Sequence, residues 1–85
     1  MKIAFTKHAA IDKFKMLQRH NFKANKNSIR KVIENPEHED KDSDKPNVIA
    51  SKSIDSKHIL RVVYKIEGDI ITVITFYPAE KGRYY

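Results

Sequence analysis

The sequence has no cysteine, two glycines and three prolines. Without cysteine there are no disulfides, no thiolate zinc ligands and no thiol nucleophile, which agrees with a reducing, cytoplasmic location. Gly68 and Gly82 are the only glycines, so no glycine-rich loop can cradle a nucleotide phosphate, and triphosphate hydrolysis is not expected. No apolar run approaches the roughly 20 residues that a membrane-spanning helix needs. Residues 1–8 turn polar after Phe5, so neither a membrane partner nor a signal peptide is expected. The four histidines share no metal spacing, and no G-x-S-x-G elbow exists. No metal and no cofactor are expected. What is present is 40% hydrophobic and 33% charged residues, a globular composition. The 85 residues make one domain, 1–85, too short for a Rossmann fold or a TIM barrel. A chain of this size buries only about 60% of its unfolded surface.

The net charge of +6 is unevenly spread. Residues 1–33 carry nine Lys or Arg against one acid, Asp12, giving +8. Residues 34–45 carry six acids and two lysines, giving −4, and residues 46–85 give +2. A concentrated basic segment is the electrostatic footprint of a phosphate-backbone partner. The acidic stretch lacks the glycine turn and terminal glutamate of a calcium loop and reads as a solvated connector.

Residues 2–5 read as a first edge strand. Thr6 is suited to cap a helix running to Arg19 or His20, with Ala10, Phe14 and Leu17 on its core stripe. On its opposite face lie His8, Asp12, Lys15 and Arg19. Asn25 is suited to cap a second helix with Ile29, Val32 and Ile33 inward, ended by Asn35-Pro36. After Pro46 the period changes to two, with strands at 48–54, 58–66 and 69–77. A hairpin loop at Glu67-Gly68 sets Tyr64 opposite Ile71 and His58 opposite Tyr77, and gathers Arg61 with Val63, Thr72, Ile74 and Phe76 on the other face. Pro78 is expected to stop the last strand. The expected class is α+β, with two N-terminal helices packed on a three- to four-stranded antiparallel sheet.

With other chemistries set aside, His, Lys, Arg and Tyr side chains remain. Such a set suits metal-independent RNA cleavage, which needs a base for the 2′-OH, an acid for the leaving 5′-oxygen and cations for the phosphorane. His8 can act as acid or base, Arg61 can clamp phosphate oxygens, and Tyr77 can stack on an unpaired base. An arginine inside an apolar strand, as Arg61 is, must reach a partner, a ligand or water.

The segments Phe5-Thr6-Lys7-His8-Ala9 with Arg19, Asn35-Pro36-Glu37, His58 to Tyr64, and Ile74-Thr75-Phe76-Tyr77-Pro78 with Arg83-Tyr84 together resemble one family. It is a family of small bacterial and archaeal domains grouped with RelE/ParE-like and BrnT-like toxins, within the barnase–EndoU–colicin–RelE fold. The resemblance spans nearly the whole chain. It implies a RelE-like domain with an RNA cleft on its sheet, and control by a cognate antitoxin. It also implies that His8 is the helix-start histidine, Arg61 the strand arginine, Thr75 with Tyr77 the last-strand pair, and Arg83 with Tyr84 the terminal basic-aromatic element. The expected function is therefore a toxin-like endoribonuclease of a toxin–antitoxin system, acting on RNA, including ribosome-bound mRNA. His8, Arg61, Tyr77 and Arg83 are its expected catalytic residues. Lys13, Arg19, Thr75, Lys81 and Tyr84 are expected to bind substrate. The rival expectation is a non-enzymatic nucleic-acid- or protein-binding module of the same fold.

Overall fold

The computed structural model describes residues 2–13, 15 and 25–82. Its strands are β1 (Lys2–Phe5), β2 (His38–Asp40), β3 (Val48–Ser53), β4 (His58–Glu67) and β5 (Ile70–Glu80). They form one five-stranded sheet in the order β1-β5-β4-β3-β2. The β1–β5 pairing is parallel and the other three are antiparallel. The helices are α1 (His8–Lys13), which is π-wound, and α2 (Lys26–Glu34).

This corrects the expected RelE-like arrangement of two N-terminal helices on a three- to four-stranded antiparallel sheet. The described fold is a mixed five-stranded sheet in which strand outweighs helix. One cause is β2, which arises in the acidic stretch read as a connector. Its backbone pairs with β3, His38 opposite Ser51 and Asp40 opposite Ile49. Glu37 reinforces the edge by accepting the Ser53 N–H at 2.6 Å. Charged side chains suit an edge strand, because they discourage further pairing. Alternation of apolar residues is therefore a poor guide there.

α2 forms where its pattern places it. Asn25 Oδ1 accepts the Ser28 N–H at 2.9 Å, and the Ser28 hydroxyl accepts the Asn25 N–H, a reciprocal capping box. Lys52 Nζ reaches the Asn35 carbonyl at the other end. Ile29, Val32 and Ile33 face the sheet over β3 and β4. At α1, the Thr6 hydroxyl accepts the Ala9 N–H and donates to the Ile74 carbonyl at 3.1 Å, tying the helix start to β5. Within α1, Ala9 and not Ala10 is fully buried. π winding turns each residue less than an α-helix does, so the inward phase moves. Phe14, Leu17 and the stretch toward Arg19 and His20 lie outside the described residues.

The β4–β5 hairpin differs most from expectation. Gly68, with φ of +60°, opens the loop, so Glu67 pairs with Ile70 and the register moves by two. Glycine takes this left-handed conformation without a Cβ clash. A bulge then adds one residue on β5 between the Tyr64–Val73 and Val63–Thr75 pairs. One extra residue exchanges the faces of everything after it. Phe76, expected beside Arg61, instead joins Leu60 and Val62 in the core, and Tyr77 arrives opposite Arg61. Pro78 does not end the strand, which runs to Glu80. β1 covers only Ile70–Val73, so Pro78 sits where β5 has become an edge among the described strands, a position that tolerates a missing N–H.

The main core lies between the helices and one face of the sheet, with Ala9, Ile29, Val32, Leu60, Val62 and Phe76 at its centre. The second face carries Ile59, Arg61 and Val63 of β4 and Ser51 of β3, all buried but outside that cluster. β4 is thus buried on both faces from Ile59 to Tyr64.

Candidate functional site

The pairings place four polar side chains in a row across the second face. His38 of β2 stands opposite Ser51 of β3, Ser51 opposite Arg61 of β4, and Arg61 opposite Tyr77 of β5. Directly opposed residues share a face, with Cβ atoms about 4.5–5.5 Å apart. Arg61 Nε donates to the Tyr77 hydroxyl at 3.0 Å, and the guanidinium carbon lies 5.7 Å from the Tyr77 ring centre. Arg61 is 8% exposed, Tyr77 is half-buried, and His38 is exposed at the edge. The bond fixes the plane of the guanidinium, and the ring adds a cation–π contact worth about 0.5–2 kcal/mol. Thr75 follows on the same face, opposite Val63.

Asp40 shares this face of β2, but its carboxylate accepts the N–H groups of Asp42 and Ser43 at 2.9 and 3.0 Å. The hydrogen bonds from Ser43 and then Asp42 hold its pKa down at about 2. It caps its own turn.

A second polar cluster lies where β4 begins and β5 ends. Ser56, Lys57, His58, Glu80 and Lys81 line an open depression of about 390 Å³. The Asp55 carboxylate accepts the N–H groups of Lys57 and His58 and contacts His58 Nδ1 at 3.0 Å. These contacts, the Lys57 backbone bond foremost, lower its pKa. Among the described residues no group of three or more His, Asp or Glu is placed to hold a metal.

The expected site residues fall in several places. Arg61, Tyr77 and Thr75 come together on the second face. Lys81 lies exposed beyond Tyr77, its N–H bonded to the Lys57 carbonyl at 2.8 Å. His8 is exposed at the start of α1, and its neighbour Ala9 packs into the core on the opposite face of the sheet. Thr6 pins that end of α1 beside Val73 and Ile74, three to four residues before Tyr77, or roughly 10–13 Å along the strand. Of Lys13 only the backbone is described, and Arg19, Arg83 and Tyr84 lie outside the described residues. Ser51 and His38 were not anticipated. Ser51 looks like a neutral strand residue, and His38 sits among acids; only the β2–β3 register brings them to Arg61.

Fold and site together define a small mixed-sheet domain with a basic-aromatic row on one face. Comparison of the chain with protein-family models, curated proteins and solved structures finds no match.

Proposed function

We propose that the chain is a non-enzymatic nucleic-acid-binding module that grips the phosphate backbone of single-stranded RNA with the Arg61–Tyr77 face. The observation that carries this reading is the Arg61 Nε–Tyr77 Oη hydrogen bond at 3.0 Å, with the ring beside the guanidinium. An arginine of fixed plane matches phosphate oxygens, and an adjoining ring offers a stacking surface for an unpaired base. The net charge of +6 supports the choice of a polyanion.

Cleavage of the bound strand, the activity expected from the sequence, needs an acid and a base within hydrogen-bond reach of the reacting oxygens. His8 belongs to a helix packed on the other face, so the Arg61–Tyr77 pair is read as a grip and not as half of a catalytic set. The antitoxin implied by the resemblance has no part in this reading.

Binding of a fluorescent single-stranded RNA across a salt series, with the RNA then run on a gel after incubation in EDTA, tests the proposal. The expected result is an affinity that falls steeply with salt and RNA that stays intact. Absence of binding at every salt concentration would overturn it. Cleavage abolished by Arg61→Gln would replace it with the endoribonuclease reading.

A further inference from the structure

At the end of the β4–β5 ladder two lysines stand opposite each other. The register that pairs Arg61 with Tyr77 also pairs Ile59 with Ala79 and His58 with Glu80. The Lys81 N–H bonds the Lys57 carbonyl at 2.8 Å, which carries the pairing one residue further and sets Lys57 opposite Lys81. Both are exposed, and both line the open depression of about 390 Å³. Like charges directly opposed across two strands are destabilising. Among the described residues neither lysine forms a salt bridge, and Lys81 acts on the Glu37 carboxylate only through space. Glu80 also lines the depression, but it stands opposite His58, on the alternate face of the ladder.

Lys57 lies four residues before Arg61, and Lys81 four residues after Tyr77. Strand alternation therefore puts all four on the second face of the sheet. The two pairs are roughly 13 Å apart along the strands, a span that a short single strand of RNA covers. Building on the RNA-binding reading, we infer that Lys57 and Lys81 hold a second phosphate of the same RNA strand, which runs along β4 and β5 and not across the sheet. An anion between two opposed ammonium groups turns their repulsion into attraction. The depression is open to solvent, so the phosphate reaches it without rearrangement. Lysine acts as a point charge and asks for no fixed arrangement of oxygens.

The test uses the full chain and three single variants, each with one charge fewer: Lys57→Gln, Lys81→Gln and Lys31→Gln, the last exposed on α2. Affinity for a fluorescent single-stranded RNA is measured across a salt series, with Arg61→Gln alongside. Thermal midpoints and binding to phosphatidylglycerol vesicles are measured separately. Lys57→Gln and Lys81→Gln should each weaken RNA binding about two- to fivefold and make the salt slope shallower by about 0.7. Their midpoints should hold or rise, because the opposed charges are relieved. Lys31→Gln should leave affinity and slope nearly unchanged. Native affinity and slope in both ladder variants, with Arg61→Gln weakened, would overturn the inference and leave the RNA reading standing. An equal loss in Lys31→Gln would do the same, since net charge alone would then explain the effect. A lowered midpoint in both ladder variants would also overturn it, because the lysines would then be supporting the fold. No RNA binding by the native protein would overturn both readings, and vesicle binding in its place would assign the lysine pair to a lipid surface.

Discussion

Arg61 and Tyr77 hold each other through one hydrogen bond and one ring contact, so conservative substitutions separate charge from geometry. Arg61→Lys keeps the positive charge and loses the Nε donor and the flat face. Its RNA affinity is expected to fall by about three- to tenfold, with the salt dependence little changed. Tyr77→Phe keeps the ring and loses the acceptor, and a smaller drop is expected. Fluorescence anisotropy checks both, and a lysine variant binding as tightly as the native protein would contradict the role given to the guanidinium plane. Arg61 was noticeable in the sequence because a charge inside an apolar strand demands an explanation. Its neighbours Ser51 and His38 were not, because ordinary polar residues acquire meaning only from strand register.

At the scale of elements, α2 was readable because its signals are local: a cap at Asn25, apolar residues three and four apart, and Pro36 after its end. Asn25→Ala should cost about 1 kcal/mol, measured by urea unfolding, since it removes the capping box. The hairpin was readable as two strands but not as a pairing. Its faces depend on the loop position at Gly68 and on one bulged residue, and neither leaves a mark in the alternation of Val, Ile and Thr. The consequence is large, because that residue moves Phe76 into the core and Tyr77 to Arg61. Phe76→Ala should therefore destabilise by about 3–5 kcal/mol, a core-sized loss, and a mild effect would argue for the unbulged register. β2 escaped notice because its acidic side chains say solvent while its backbone pairs with β3.

For the molecule as a whole, the excess of basic residues could be read from composition, but the strand count and the parallel edge could not. Three carboxylates, Glu37, Asp40 and Asp55, cap backbone N–H groups and have lowered pKa values, about 2 for Asp40. A carboxylate with a depressed folded pKa adds stability above its unfolded value near 4, and that contribution is lost as pH falls toward the folded value. The thermal midpoint should accordingly hold above about pH 5 and decline toward pH 2, with the decline reduced in Asp40→Ala. With β4 buried on both faces and a domain stability of only about 5–15 kcal/mol, few core changes can be tolerated, and tests of function should use surface or isosteric variants. The central claim is that Arg61 grips a phosphate of single-stranded RNA, and the salt dependence of binding measures it most directly. Plotted as log affinity against log salt, Arg61→Gln, which removes the charge and keeps most of the side chain's length, should bind more weakly and with a slope shallower by about 0.7, one phosphate contact fewer. An unchanged affinity and slope would contradict the claim.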